Sequence, residues 1–211
     1  ALRASYLWSR LWGNYSGLAT GDENGRLSPN TNGVFDHRVM QFDERGEAVF
    51  GPLPTDRPHQ LKAQVIFDFP FGTTVGLNGY LASGTPVTRM AYFLGPLSYP
   101  VPYLGRESDG RTPTRSQLDL LLRQEIRLGG EKRVQLEVNV LNAFNQRTAT
   151  NRFPFQTEYG PGISTTDEEF FGGIDTEALM REQGMRQDPL FLMDSEFQLP
   201  REIRLGVRFA F

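Results

Sequence analysis

Six stretches of this chain alternate apolar and polar residues with a period of two, and the connections between them run long, short, long, short, long. Such a period puts apolar side chains on one face of a strand and polar ones on the other. In residues 1–12, Leu2, Ala4, Tyr6, Trp8 and Trp12 oppose Arg3, Ser5 and Ser9; near 59–69, Leu61, Ala63, Val65, Phe67 and Phe69 oppose Gln60, Lys62, Gln64 and Asp68. A weaker, Gly-rich third near 73–83 sets Val75, Leu77 and Leu81 against Asn78. The fourth, near 115–128, sets Leu118, Leu120, Leu122, Ile126 and Leu128 against Asp119, Arg123, Glu125 and Arg127. The fifth carries Val134, Leu136, Val138 and Val140 against Arg133, Gln135, Glu137 and Asn139. After Pro200 the sixth places Ile203, Leu205, Val207, Phe209 and Phe211 opposite Glu202, Arg204 and Arg208.

The connections discriminate between fold classes better than any single strand. Two are tight, Pro70-Phe71-Gly72 and residues 129–132 with Gly129-Gly130, and three are long, at roughly 13–57, 84–114 and 146–200. Compact soluble domains rarely carry connections of that length. A bacterial outer-membrane barrel has long loops outside and short turns in the periplasm, and the chain end then falls on the turn side, where such barrels finish. The fold expected is all-β: an antiparallel transmembrane β-barrel segment of about six strands, residues 1–211 forming one segment. About eight strands make the smallest closed barrel, so other strands must complete this one, either from a longer polypeptide, the favoured reading, or from further copies.

Composition agrees. Only 38% of residues are apolar, low for a globular domain but natural where only alternate residues meet lipid. No run approaches the ~20 apolar residues of a spanning helix. Cysteine is absent, which removes disulfides and thiolate chemistry, and the mixed charges, net −3, show no basic patch for nucleic acid. The start, Ala1-Leu2-Arg3, has neither initiator Met nor signal sequence, so the chain reads as a mature or excised segment. A short surface helix is expected near Thr176–Gln187, within the last long connection.

Site chemistry is sparse. His37 and His59 have no metal-ligand spacing, and His59 fits a turn before a strand. The oxygen-rich clusters Asp22, Glu23 and Asn24, and Asp167, Glu168 and Glu169, lack the spacing of a calcium loop and read as solvated turns. No nucleophile elbow, phosphate loop or dinucleotide fingerprint is present. The chain reads as a non-enzyme that needs no cofactor.

Several stretches carry a family likeness: Tyr6-Leu7-Trp8-Ser9-Arg10 followed by Gly13-Asn14-Tyr15-Ser16-Gly17-Leu18; Thr55-Asp56-Arg57-Pro58-His59-Gln60-Leu61-Lys62; Val138-Asn139-Val140-Leu141-Asn142-Ala143-Phe144-Asn145; and the ending from Leu199 to Phe211. In this order and spacing the chain resembles the carboxy-terminal end of TonB-dependent outer-membrane transporters, in particular the Oar-like group with an amino-terminal carboxypeptidase-regulatory-like domain. The resemblance implies a 22-stranded barrel, a plug domain inside it and a motif coupling it to the TonB energy complex, the last two lying outside these residues. On this reading Ile203, Leu205, Val207, Phe209 and Phe211 form the carboxy-terminal signal read by the barrel-assembly machinery. Tyr6, Trp8, Trp12, Phe67 and Phe69 belong to aromatic belts at the two lipid interfaces. Lys62, Asp68, Asp119, Arg123, Glu125, Arg127, Arg133, Glu137, Arg204 and Arg208 face the lumen, and ligand contact falls to the loops. The alternatives are a structural or adhesive surface β-protein whose sheet other chains complete, and a soluble β-sandwich binding module.

Overall fold

Strand register decides what the two faces of the alternating stretches become. A computed structural model describes residues 1–14, 41–94, 100–158 and 162–211. Asp22, Glu23, Asn24, His37 and the stretch Tyr15–Leu18 lie outside the described residues. In chain order the strands are β1 (Leu2–Trp8), β2 (Trp12–Gly13), β3 (Gly51–Pro52), β4 (His59–Asp68), β5 (Thr73–Ala82), β6 (Ala91–Leu94) and β7 (Pro100–Val101). There follow β8 (Arg115–Gly129), β9 (Lys132–Leu141), β10 (Ala149–Arg152), β11 (Ile163–Ser164), β12 (Asp194–Phe197) and β13 (Glu202–Ala210).

The six expected strands, β1, β4, β5, β8, β9 and β13, form one antiparallel sheet in chain order. Register keeps the two faces unbroken across it. One row runs Leu2, Val65, Leu77, Leu120, Val140, Ile203, and the adjacent apolar row runs Phe67, Val75, Leu122, Val138, Leu205. A one-residue slip anywhere would send a strand's apolar set to the polar side, so the pairing follows from the sequence pattern. The tight turns are built on glycine. The Gly72 N–H donates to the Phe69 carbonyl (3.1 Å) with φ +85°, and Gly129 and Gly130 have φ of +107° and +59°. These are left-handed conformations that other residues adopt only with strain.

The sheet contributes little to the buried core. Leu2, Leu205 and Phe209 are 73%, 78% and 68% exposed. The buried cluster lies instead in the long connections: Ala91, Phe93, Val101, Tyr103, Ile163, Phe170 and Met180, with Phe42, Ile174, Leu179 and Met185 against it. Its scaffold is a three-stranded sheet in which β6 pairs antiparallel with β7 and parallel with β11; β10–β12 and β2–β3 form separate two-stranded ladders. All three connections meet here. The Glu44 N–H donates to the Tyr103 carbonyl (3.0 Å) and the Ile174 N–H to the Glu44 carbonyl (2.8 Å).

The structure corrects three readings of the sequence. The first strand ends at Trp8, not near residue 12, and Trp12 sits in β2 opposite Pro52 of β3. Pro58 precedes β4 and has no N–H to extend the ladder; the Ser9 N–H still reaches the Pro58 carbonyl (3.0 Å), but the Leu11 N–H turns to Asp56 Oδ1 (2.6 Å). The helix expected at Thr176–Gln187 stops at Glu182. Its end is a left-handed glycine cap: the Gly184 N–H donates to the Arg181 carbonyl (3.2 Å), the Met185 N–H to the Met180 carbonyl (2.8 Å), and φ of Gly184 is +66°. Asp167, Glu168 and Glu169 are not a plain turn but the first turn of a second helix, Asp167–Phe171.

Candidate functional site: two sheet faces under a packed loop layer

The apolar face is the larger candidate surface. β4, β5 and β9 each run 10 residues and β13 runs 9, close to the ~9–11 residues of a tilted membrane-crossing strand. Tyr6 and Trp8 stand at the loop end of the face, opposite Leu61 and His59. The Tyr6 hydroxyl lies 2.7 Å from His59 Nδ1, so that histidine is a strand-start partner. Phe67, Phe69 and Phe71 cluster at the turn end, ring centroids 4.6 and 5.1 Å apart. Trp12 is displaced into the loop layer, with the Arg10 guanidinium 4.1 Å above its ring. Ile203, Leu205, Val207 and Phe209 share the apolar face, and Phe211 follows the end of β13, almost fully exposed.

The opposite face brings most of the expected charged residues into rows. Arg123 on β8 donates twice to Glu137 on β9 (3.0 and 2.9 Å), and Asn139 Nδ2 donates to the same carboxylate (2.6 Å). Arg127 and Arg133 stand directly opposite one another, an unfavourable like-charge pair. Glu125 lies between them, 3.6 Å and 3.9 Å away. Asp119 accepts from Gln117 Nε2 (2.8 Å), Asn78 Nδ2 (3.3 Å) and the Asn142 N–H (2.9 Å). Asp68 accepts from the Thr74 hydroxyl (2.6 Å), and Arg204 pairs with Glu202 along its own strand (2.7 Å). Lys62 and Arg208 share this face, opposite Ser5 and Gln135. Such half-wet pairs contribute little to stability; their effect is to make one face hydrophilic.

A third surface, which periodicity did not disclose, ties the loop layer to the strand ends. Asp56, its side chain 2% exposed, binds Arg111 (2.7 Å) and the Leu11 N–H, and Arg111 also reaches Glu107 (2.5 Å). Burial works against the Arg111 charge, but the bonds to Asp56 and Glu107 outweigh it and raise its pKa above the ordinary range. Asn142 Nδ2 donates to the Gln146 and Leu199 carbonyls (2.9 and 2.8 Å), and Asn145 Oδ1 accepts the Arg201 N–H (2.9 Å). Both asparagines have positive φ, +49° and +51°. Together they staple the departure of the last long connection to its return.

Tyr103 and Glu169 in this layer also depart from their ordinary titration. Tyr103 is buried, which pushes its phenol up to about 12 despite the opposing hydrogen bond and charge of Arg89. Glu169 closes a capping box with Thr166: its carboxylate accepts the Thr166 N–H (3.0 Å), while Thr166 Oγ1 accepts the Glu169 N–H (3.2 Å). The bond from the Thr166 backbone lowers the Glu169 pKa. A depressed folded pKa stabilises the helix above the unfolded value and loses that contribution as pH falls through the folded one. The Asp167–Phe171 helix is therefore expected to loosen on acidification below about pH 4.3, and Glu169→Gln is expected to remove the pH dependence, as read by amide exchange at Phe170.

No family model matches the chain, and no solved structure does. The chain is similar to the TonB-dependent transporter Oar of Myxococcus xanthus, 29% identical over 238 aligned residues that cover 99% of this chain and 20% of that protein. It is similar to a transporter. The chain spans about a fifth of that relative's length.

Proposed function

We propose that this chain is the carboxy-terminal barrel segment of an Oar-like outer-membrane TonB-dependent transporter. Its six strands line part of the wall, with the loop layer outside the cell and the turns and Phe211 in the periplasm. The observation that carries this reading is the apolar face itself: six strands in register present one continuous, exposed hydrophobic surface, while the buried core lies in the connections. In water such a face is costly at about 25 cal/mol per Å²; against lipid the cost disappears. Open backbone edges are not tolerated in lipid, so the free edges of β1 and β13 pair with further strands of the same polypeptide. A plug inside that barrel meets the charged face, and a TonB-type partner acts through sequence beyond these residues. The loop layer forms part of the ligand vestibule, and the chain performs no catalysis.

The test is the intact mass of the native polypeptide that contains Phe211, extracted from outer membranes with detergent. A mass several times 23.9 kDa is expected; a native chain of this size in the soluble fraction would contradict the proposal and favour a β-protein completed by other copies. A companion variant tests the lipid face. Leu205→Arg, near the middle of β13, is expected to cost about 2–4 kcal/mol in urea unfolding from lipid vesicles. Arg204→Leu, on the other face, is expected to cost well under ~1 kcal/mol. Equal costs would remove the membrane assignment.

A further inference from the structure

Beside the helix Thr176–Glu182, in the loop layer, lies a cavity of about 150 Å³. Thr157, one of its lining residues, is 2% exposed, and its hydroxyl has no hydrogen-bond partner among the described residues. A buried hydroxyl of that kind is normally satisfied. Arg181 and Arg186 line the same cavity, and neither guanidinium has an ion-pair partner among the described residues. Gln156, also lining it, accepts the Tyr103 hydroxyl on Oε1, which leaves its Nε2 as a donor. Among the described residues that line the cavity the one carboxylate is Glu177, and it is engaged by Arg89 (3.4 Å). The glycine cap that ends the helix holds Met180 and Met185 as the apolar part of the wall.

We propose that this cavity is a binding site for a small oxyanion, a carboxylate or a tetrahedral phosphate or sulfate. Two guanidiniums, a carboxamide N–H and a hydroxyl are a set of donors, which is what an oxyanion requires. The volume is below the ~300 Å³ of pockets for drug-sized ligands, and it suits an ion or the terminal acid group of a larger molecule. The assignment stands on the loop layer alone and does not depend on transport.

The experiment uses the complete native protein in lipid nanodiscs, with ¹³C-labelled methionine methyls and the Met180 and Met185 signals assigned by Met→Leu variants. Sodium phosphate and sodium acetate are titrated separately against sodium chloride at matched ionic strength. A saturable shift of these two signals with either oxyanion, half-complete below about 10 mM, is expected, and which anion acts distinguishes a tetrahedral ligand from a carboxylate. Thr157→Val and the double variant Arg181→Gln, Arg186→Gln are each expected to weaken binding about tenfold, as loss of a hydrogen bond to a charged group does. Thr157→Ser, which keeps the hydroxyl, is expected to bind as the native protein does. Identical shifts with chloride, no saturation with either anion, or equal weakening by Thr157→Ser and Thr157→Val would each overturn the site.

Discussion

Phe170→Ala is expected to open the loop layer while leaving the six-stranded sheet intact. Phe170 is fully buried, with ring contacts at 5.3 Å to Phe93 and 5.4 Å to Phe171. Removing a buried phenylalanine side chain costs about 3–5 kcal/mol. The cost should fall on the β6–β7–β11 unit, because the main sheet shares no residue with the buried cluster around Phe170. Amide exchange at Phe93 and Ile163 is expected to rise by about two orders of magnitude or more. Exchange along β8 and β9 should stay unchanged. Accelerated exchange throughout the sheet would show that the loop layer and the strands are one cooperative unit, contrary to this description.

Asp56→Ala is the second large effect. It removes a buried carboxylate that receives the Leu11 N–H at 2.6 Å and the Arg111 guanidinium at 2.7 Å. Breaking a buried pair by deleting one partner typically costs 3–5 kcal/mol, because the other charge stays without its counterion; Glu107 still holds Arg111 here, so about 3 kcal/mol is expected. The segment that leaves β1 loses its anchor, and protease sensitivity should appear near residues 9–13 and 53–57. The double variant Asp56→Ala, Arg111→Met should recover part of the loss. If the single and double variants are equally sensitive, the ion pair is not what fixes the segment.

The sequence made the sheet legible and the loop layer mostly not. A period of two repeated over ten residues sets which face of each strand is mainly apolar, the tight turns Pro70-Phe71-Gly72 and Gly129-Gly130 set the register of the hairpins they close, and β4, β5, β8, β9 and β13 appear within a residue or two of where that pattern sets them. Periodicity is silent on short elements. β6 and β7 have 4 and 2 residues, too few to show alternation, and they are stabilised by partners far along the chain: Phe93 opposite Ile163, Ala91 opposite Val101. Trp12 shares the parity of β1, which draws it into that strand on paper, but Pro58 ends the ladder and Trp12 pairs with Pro52 instead. A signal for the second helix was present, since Thr166 and Glu169 are spaced as a capping box ahead of Phe170-Phe171, but the acidic run masked it. Asp56, Arg111 and Asn142 lie in irregular segments, and their roles come from partners tens of residues away, which no local pattern reports.

A nitroxide scan of β13 in the complete protein, reconstituted in a lipid bilayer, tests whether its apolar face meets lipid. The 211 residues contain no cysteine, so single cysteines can be introduced in this segment at each position from Ile203 to Phe209. Labels at 203, 205, 207 and 209 should be accessible to membrane-dissolved oxygen and shielded from a water-soluble nickel chelate, and labels at 204, 206 and 208 should be markedly less accessible to oxygen. Oxygen and nickel accessibilities that rise and fall together, or apolar positions shielded from both, would place this face in water or in a protein core and exclude a lipid-facing barrel wall.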